Sequence, residues 1–355
     1  MRNEDIASNF KLESNIKEDG LVWHDVRNAP FKIYGLHRPL DASLPFHRMD
    51  TEVAAKANPG VGIYNFRTAG GRVRFATDSP YIAIKCEMTS TLSEIYIRNM
   101  PYSGVQGFDL WTIQDDGTQK FFCAFAPTCP FDSLWYDGIY KNCGSELRQY
   151  TLNFPLYGTC KNLYIGLKEG SRILEGTPYS NEKPIVFYGS SITQGGCASR
   201  PGSCYESYVS AKYNVDYINL GFGGSAKGEA VIADYLASLD MSIFVCDYDH
   251  NAPTLEHLKA TLPNVYETVR KSHPSIPYIF MSSPNLELGK ERRDFIRSIY
   301  EKAKASGDEN VYFVDGADMF RGEFSECCTV DGTHPTDLGF FRMFEALDKV
   351  MSKLI

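Results

Sequence analysis

The hydrophobic pattern divides the chain into two parts that predict different secondary structure. Up to about residue 180, apolar and polar residues alternate in short runs that are broken by Gly, Pro, Asn and Asp. Such runs are found at 81–86, 94–97, 107–111, 120–123 and 162–167. They are rich in β-branched and aromatic residues and show no helical stripe. This part therefore predicts an all-β sandwich of jelly-roll type.

From Pro184 onward, apolar runs alternate with longer stretches of helical period. The runs at 184–187, 217–220, 243–245, 277–281 and 311–314 predict buried strands. The stretches near 204–213, 227–238, 255–271, 291–305 and 336–351 predict helices. This alternation indicates βαβ units, and therefore an α/β fold with a parallel sheet covered on both faces. The Gly- and Pro-containing segment 169–183 is the expected junction, so we predict domains at 1–180 and 181–355.

Composition narrows the class of protein. The 355 residues, of which 43% are hydrophobic, suffice for a large core and two domains. The net charge of -8 comes without a block of Lys and Arg, which argues against a nucleic-acid partner. No apolar run approaches the roughly 18 to 20 residues of a membrane span, and residues 1–8 lack the apolar core of an export signal.

The ten cysteines show no Cys-x-x-Cys pair, and several lie in apolar strand-like runs. Without an export signal, this pattern favours free buried thiols in a reducing cytoplasm. The Cys residues and the seven His residues do not fall at metal-ligand spacings. We therefore expect a cytoplasmic protein without a metal or another cofactor.

Two polar motifs carry the candidate chemistry. The segment 188–195 reads Tyr-Gly-Ser-Ser-Ile-Thr-Gln-Gly and follows the apolar strand at 184–187. Its serines therefore lie at the carboxyl end of a strand, where open α/β sheets bind ligands. The second motif, 331–334, reads Asp-Gly-Thr-His and would supply a base and the carboxylate that orients it. The first motif lacks the second glycine of a Gly-x-Ser-x-Gly elbow, which disfavours the α/β-hydrolase fold.

With these motifs in place, the chain resembles the SGNH (GDSL-type) hydrolase superfamily, whose four sequence blocks can be matched in order. The matching segments are 189–193, 219–224, 247–251 and 331–335. The resemblance implies a flavodoxin-like three-layer α/β/α domain. It also implies a catalytic triad of Ser191, His334 and Asp331. The oxyanion hole would consist of the backbone N–H groups of Ser191 and Gly224, where glycine lets the backbone approach closely, and of the Asn251 amide.

The first and third blocks each depart from the family pattern. Gly-Asp-Ser is replaced by Gly-Ser-Ser, so that Ser190 stands where the family has Asp. Gly-x-Asn-Asp is replaced by residues 249–252, which read Asp-His-Asn-Ala. Neither change removes a proton-transfer group, so we expect a site of altered shape and polarity with the same machinery.

The N-terminal half carries a resemblance of its own. Residues 107–111 read Gly-Phe-Asp-Leu-Trp and resemble the Gly-x-Asp-Leu-Tyr motif of the β-sandwich that precedes one subgroup of SGNH esterases. A packed turn at a strand end explains Asp109 and Trp111 without any function, and we favour that interpretation. Trp111, together with His250 and Arg200 beside the catalytic blocks, is a candidate for substrate contact.

A different enzyme class competes for one segment. Residues 221–226 fit the dinucleotide fingerprint Gly-x-Gly-x-x-Ala, with Asp247 as the acid at the end of the next strand. However, that fingerprint normally follows the first strand of its domain. It also leaves Ser191, Asn251 and the Asp-x-x-His motif unexplained, so we reject it.

The function expected from the resemblance is that of a serine esterase that removes short acyl groups, acetyl above all, from carbohydrate hydroxyls. Its partner would be a small-molecule or oligosaccharide ester. A long apolar lid is absent from the sequence, which argues against a lipase. Two alternatives remain open: an acyltransferase that uses the same triad, and an inactive glycan-binding protein.

Overall fold

The computed structural model describes residues 15–95, 97–127, 133–284 and 289–355, and the chain divides into two compact units. The first unit extends to His47 and includes Phe66–Pro178 and Arg200–Gly202. The second unit consists of Arg48–Asn65, Tyr179–Ser199 and Ser203–Ile355. The division therefore differs from a single boundary after residue 180, because Arg48–Asn65 belongs to the second unit and Arg200–Gly202 belongs to the first.

The first unit is built from antiparallel strands. They are β1 (Leu21–Asp25), β2 (Lys32–Tyr34), β3 (Arg72–Thr77), β4 (Ile82–Met88), β5 (Phe108–Ile113), β6 (Gln119–Phe125), β7 (Trp135–Tyr140), β8 (Arg148–Asn153), β9 (Cys160–Lys168) and β10 (Ile173–Glu175). One sheet has the order β1-β9-β4-β7, and the other has the order β10-β3-β8-β5-β6 with β2 paired to β3. A single apolar core draws Ile84 and Ile165 from the first sheet and Phe75 and Leu152 from the second. The predicted β-sandwich is thus confirmed.

One predicted strand is wrong. The run 94–97 was expected to be extended, but residues 92–95 form turns; Tyr96 lies outside the described residues. The four-residue run is too short to outweigh the polar and turn-forming residues around it, which include Ser93 and Asn99.

The second unit contains a parallel sheet and its flanking helices. The strands are β11 (Ile185–Gly189), β12 (Tyr217–Gly221), β13 (Ile243–Asp247), β14 (Tyr278–Met281) and β15 (Val311–Val314). The helices are α1 (Thr51–Ala57), α2 (Pro59–Tyr64), α3 (Ser191–Gln194), α4 (Tyr205–Tyr213), α5 (Ala230–Ser238), α6 (Leu255–Ser272), α7 (Lys290–Ala305) and α8 (Asp337–Met351). The predicted strands and longer helices of this half are confirmed, with shifts of a few residues at their ends.

The strand order β12-β11-β13-β14-β15 is the flavodoxin-like order, so the predicted fold class is confirmed. Alternate residues of β11 face opposite helical layers. Val186 and Tyr188 join the core that contains Leu236 of α5 and Leu258 of α6. On the other face, Phe187 packs edge-to-face on Tyr205 of α4. Helices therefore cover both faces of the sheet.

Helices α1 and α2 belong to this unit although they come early in the chain. Ala54 and Val61 are buried in the same core as Val186 and Phe244, and Val53 and Tyr64 pack against it. Both helices are short, so they present no apolar stripe long enough to be recognised in the sequence.

Two further findings concern the described ranges. None of their helices is long and apolar enough to cross a membrane. Their nine cysteines are free thiols, and all of these except Cys327 are buried; Cys129 lies outside the described residues.

Candidate active site

The two adjacent serines of the first motif have different surroundings. Ser190 is 1% exposed and is the N-cap of α3, where its Oγ accepts a hydrogen bond of 3.1 Å from the backbone N–H of Ile192. Ser191 is the first residue of the helix and is partly exposed. The helix ends after one turn at Gly195, whose φ of 98° is left-handed. The turn therefore presents the Ser191 hydroxyl and buries that of Ser190.

Ser191, His334 and Asp331 form a chain of hydrogen bonds. The Oγ of Ser191 lies 2.9 Å from Nε2 of His334. The Nδ1 of the same ring lies 2.8 Å from Oδ2 of Asp331. The structure thus brings together the three residues that the resemblance singles out.

The Asp331 carboxylate is held by its own loop. Its Oδ1 accepts hydrogen bonds from the backbone N–H groups of Thr333, at 3.0 Å, and His334, at 2.8 Å. Burial by itself raises the pKa of Asp331, but the bonds from His334 and Thr333 outweigh it and leave the pKa lowered. The N-cap of α8 is Thr336, so the Asp331 carboxylate does not cap that helix. Asp331 is therefore an ionised group whose second oxygen faces the imidazole.

Gly224 lies in the loop that follows β12. A Cβ at Gly224 would meet no protein atom within 4 Å, so crowding by the chain itself does not require glycine there. Its φ of 66° does favour glycine, because L side chains rarely adopt that conformation. The expected close approach of this backbone to an oxyanion stays a prediction. At Gly221 the reason is crowding, since a Cβ would lie 2.2 Å from the backbone N of Gln194.

The loops after β11, β12 and β13 are joined by side-chain bonds. The backbone N–H of Gly223 donates to Oε1 of Gln194 at 2.9 Å. Asn251 lies in a 3₁₀ turn at Asp249–Asn251, and its Oδ1 accepts a long bond of 3.4 Å from the N–H of Ala226. This bond directs the oxygen of the Asn251 amide toward the β12 loop and leaves Nδ2 as its donor end.

His250 lies in the same turn and has a serine partner. Its Nε2 is 2.5 Å from the Oγ of Ser283, whose backbone N–H donates to Oδ2 of Asp249 at 3.1 Å. The pKa of His250 is lowered mainly by burial; Asp249 opposes this effect, and the charges of His334 and Arg292 add to it. His250 is thus a weakly basic imidazole within electrostatic range of His334.

Two buried carboxyl groups are linked to the nucleophile turn, Asp247 directly and Glu206 through Asn219. Asp247 accepts hydrogen bonds at Oδ2 from Thr193, at 3.1 Å, and from the hydroxyl of Tyr205, at 3.3 Å. Glu206 accepts one from Nδ2 of Asn219 at 3.3 Å. Burial raises the pKa of both carboxyl groups well above their ordinary values. Asp247 is therefore enclosed by the turn, a placement unlike that of a ribose-binding acid in a dinucleotide site.

Arg200 and Trp111 lie in the first unit around the buried Asp109. The Nε of Arg200 is 3.6 Å from Oδ2 of Asp109, and the guanidinium lies 4.1 Å from the centroid of the Phe121 ring. The backbone N–H of Gly202 donates to the same carboxylate at 2.8 Å. Trp111 is buried and faces Gly202, where a Cβ would lie 2.3 Å from the indole Nε1. Packing accounts for these positions, and substrate contact by Arg200 or Trp111 stays a prediction.

Two residues beside these loops escaped the sequence analysis. Gln194 is part of the first motif, so its proximity to Ser191 could have been noticed, although its bond to Gly223 could not. Arg48 bonds to backbone atoms at the end of β12 from a position more than 170 residues earlier in the chain. No local signal marks it in the sequence.

Comparison with known families and structures gives matches to both halves of the chain. Residues 182–352 match the GDSL-like lipase/acylhydrolase family, and residues 21–173 match the N-terminus of SGNH-hydrolase-type esterases. No curated protein matches the sequence.

Three solved structures share the fold. A candidate GDSL-like lipase from Bacteroides ovatus is 28% identical, with a TM-score of 0.80 over 94% of this chain and 98% of that one. The salicylyl-acyltransferase SsfX3 from a tetracycline biosynthetic pathway is 19% identical, with a TM-score of 0.75 over 95% and 98%. A family two carbohydrate esterase from Clostridium thermocellum, in complex with cellohexaose, is 13% identical, with a TM-score of 0.60 over 81% and 93%. At these identities, the last two show a common fold alone.

Proposed function

Since the chain belongs to the SGNH (GDSL-type) hydrolases and carries the N-terminal domain of SGNH-hydrolase-type esterases, we propose that it is a serine esterase that removes short acyl groups from carbohydrate hydroxyls. Acetyl is the acyl group that we propose first. The observation that carries the proposal is the pair of contacts that join Ser191 Oγ to His334 Nε2, at 2.9 Å, and His334 Nδ1 to Asp331, at 2.8 Å.

In the proposed reaction, His334 accepts the hydroxyl proton of Ser191 while Oγ attacks the ester carbonyl carbon. The protonated imidazole then donates that proton to the leaving alcohol, and an acyl-enzyme remains. In the second half, His334 accepts a proton from water, the resulting hydroxide attacks the acyl carbon, and Ser191 leaves with the proton returned to it. Asp331 keeps the Nδ1 proton of His334 in place, so that Nε2 faces the nucleophile as the base.

The oxyanion of each tetrahedral intermediate would accept hydrogen bonds from the backbone N–H groups of Ser191 and Gly224 and from the Asn251 amide. The first belongs to the N-terminal turn of α3, where backbone N–H groups are not used within the helix. The orientation of Asn251, with Oδ1 turned toward Ala226, supports the use of Nδ2 as a donor. Loss of one such donor typically costs about 3 to 4 kcal/mol of barrier stabilisation.

The substrate class and the compartment are further parts of the proposal. Proteins of this fold include carbohydrate esterases by their descriptions, and the proposed substrate class follows theirs. The free and mostly buried thiols suit a reducing cytoplasm. The substrates would then be short acetylated oligosaccharides or small-molecule esters.

The direct test is the hydrolysis of p-nitrophenyl acetate by the wild-type protein and by Ser191→Ala. The proposal expects turnover by the wild type and its loss in the variant, and equal rates would exclude Ser191 as the nucleophile. A panel of acetylated manno-, xylo- and pectic oligosaccharides would then identify the preferred sugar. Labelling of Ser191 by a fluorophosphonate separates an enzyme from an inactive glycan-binding protein.

An acyltransferase remains the alternative, and the likeness to a salicylyl-acyltransferase over nearly the whole of both chains is the observation that favours it. The acyl-enzyme is common to both reactions, so the acceptor decides between them. Product analysis with and without an added polyol would distinguish them: transfer to the polyol at the expense of free acetate supports the acyltransferase.

A further inference from the structure

The strongest unexplained feature of the second unit is a buried cation at the edge of its sheet. Arg48 is 2% exposed and precedes α1, far from the catalytic blocks in sequence. A buried guanidinium is costly unless its N–H groups find acceptors. The acceptors that Arg48 uses include two carbonyl oxygens of the strand that leads to Gly224.

Arg48 bonds to the outer edge of β12, which is the terminal strand of the sheet. Its Nη1 donates to the carbonyl oxygens of Asn219, at 3.1 Å, and Gly221, at 2.6 Å. These are alternate residues of the strand, so both carbonyls point away from β11. The guanidinium also lies 4.5 Å from the centroid of the Phe222 ring. Arg48 therefore holds the chain up to two residues before Gly224.

The two ends of the segment 48–65 are hydrogen-bonded to each other, and these bonds fix the position of Arg48. Oδ1 of Asn65 accepts hydrogen bonds from the backbone N–H groups of Arg48, at 3.1 Å, and Met49, at 2.8 Å. The Nη2 of Arg48 donates to the carbonyl oxygen of Tyr64 at 2.7 Å. The two ends of 48–65 thus meet at the point from which Arg48 reaches β12.

The same segment holds the chain immediately after Gly224. The Nδ2 of Asn58 donates to the carbonyl oxygen of Ser225 at 2.9 Å and to Glu229 at 2.6 Å. A Cβ at Gly60 would lie 1.9 Å from the Oγ of Ser225, so α2 approaches this residue closely. Gly224 itself has no side chain, so its N–H direction depends on the residues that flank it.

From this arrangement we propose that Arg48 and Asn58 are positioning residues that aim the Gly224 N–H at the oxyanion. Arg48 fixes the end of β12 and Phe222, Gln194 holds the N–H of Gly223, and Asn58 fixes the residue after the glycine. The inference rests on the proposed function, because it assigns a task to the Gly224 N–H in ester hydrolysis. A guanidinium is suited to this position because its planar fork serves several fixed acceptors at once, which an ammonium group cannot reproduce.

The test compares Arg48→Lys and Asn58→Ser with the wild type and with a matched control, Arg270→Lys. Serine at 58 retains an N-cap for α2 but loses the donor to Ser225. Arg270 also donates to backbone carbonyl oxygens, those of His273, Ile276 and Asn310, but at the amino ends of the strands, away from Ser191. The measurements are kcat and KM for p-nitrophenyl acetate, the thermal midpoint, and the affinity of an aryl trifluoromethyl ketone, which forms an oxyanion when Ser191 adds to it.

We expect Arg48→Lys to lower kcat by about 10- to 100-fold and Asn58→Ser by about 10-fold, less than the loss of a whole oxyanion donor. KM should stay within about threefold, while the ketone affinity falls by the same factor as kcat, since both report the oxyanion. Arg270→Lys should lower the thermal midpoint without changing kcat or the ketone affinity.

Two results would overturn this inference and leave the proposed function in place. The first is an active wild type with unchanged kcat and ketone affinity in both Arg48→Lys and Asn58→Ser. The second is an equal loss of kcat and ketone affinity in Arg270→Lys. An inactive wild type that resists fluorophosphonate would overturn the proposed function, and this inference with it. Should Arg48→Lys fail to fold, Asn58→Ser decides by the same criteria.

Discussion

The adjacent serines at 190 and 191 allow the site to be tested with two changes of one oxygen atom each. Ser190→Ala removes the buried Oγ that accepts the N–H of Ile192. Loss of an N-cap costs about 0.5 to 2 kcal/mol, and a buried unpaired N–H costs about 1 to 3 kcal/mol, so we expect a loss of about 1 to 2 kcal/mol in unfolding free energy. For a unit of this size, that corresponds to about 2 to 8 °C in Tm.

Ser190→Ala should have little effect on catalysis. The turn is also held by backbone bonds that the substitution leaves in place, from Ser190 N–H to the carbonyl oxygen of Asp247, at 3.2 Å, and from Gln194 N–H to that of Ser190, at 3.0 Å. A misplacement of a catalytic group by 1 Å can lower the rate by about 100-fold. Since these bonds should keep the shift of Ser191 well below 1 Å, we expect Ser190→Ala to lower kcat by less than about 10-fold. Ser191→Ala should do the reverse, losing up to about 10⁶-fold in kcat with little loss of stability.

The assay measures the release of p-nitrophenol from p-nitrophenyl acetate together with urea denaturation of each variant. The two profiles should be opposite: stability falls in one variant and turnover falls in the other. The reasoning is refuted if Ser190→Ala loses turnover as completely as Ser191→Ala, or if Ser191→Ala retains it. In either case the contact between Ser191 and His334 would not identify the nucleophile.

Three further predictions concern the groups around these serines. Asp331→Asn should lower kcat by about 10³- to 10⁴-fold at the pH optimum with KM nearly unchanged, because an amide at this position favours the wrong tautomer of His334. The raised pKa of Glu206 means that its contribution to stability is present below its ordinary pKa of 4.5 and is lost as the pH rises toward the folded value. Urea denaturation should therefore show that the wild type loses stability relative to Glu206→Gln when the pH is raised from 5 to 8. If the difference in unfolding free energy between the two proteins were the same at both pH values, the raised pKa of Glu206 would be contradicted. Gly224→Ala should cost about 1 to 2 kcal/mol of unfolding free energy, and Gly224→Asn less, because Asn tolerates left-handed φ better; equal costs would argue against this explanation.

The parallel sheet could be predicted because its strands are apolar runs and its helices follow the 3.6-residue period. Leu258, Leu262, Val265 and Val269 of α6 are all buried, as their spacing requires. The position of Ser191 followed from topology, because open α/β sheets bind ligands at the carboxyl ends of their strands. The pairing of Ser191 with His334 was expected from the family resemblance, because residues 331–334 do not directly follow a strand.

What the sequence did not reveal depends on contacts without a local pattern. The segment 48–65 belongs to the second unit through two helices of seven and six residues, and α1 buries only Ala54. No periodicity distinguishes such short helices from the β-rich residues on either side. The reach of Arg48 to β12 is a long-range contact of a single side chain, which only the folded structure displays.

The replacement of the family's Asp by Ser190 has a physical reason in the buried acids beneath the turn. Ser190 is buried, and its backbone N–H donates to the backbone carbonyl oxygen of Asp247. The carboxyl group of Asp247 accepts a hydrogen bond from Thr193 in the same helical turn. The pKa of Asp247 is already raised by burial and by the charge of Asp249. A carboxylate at position 190 would add another negative charge to a region that already disfavours one. A serine hydroxyl caps the Ile192 N–H without that charge, so the departure from the family pattern fits its neighbours, and the adjacent Ser191 hydroxyl lies 2.9 Å from Nε2 of His334.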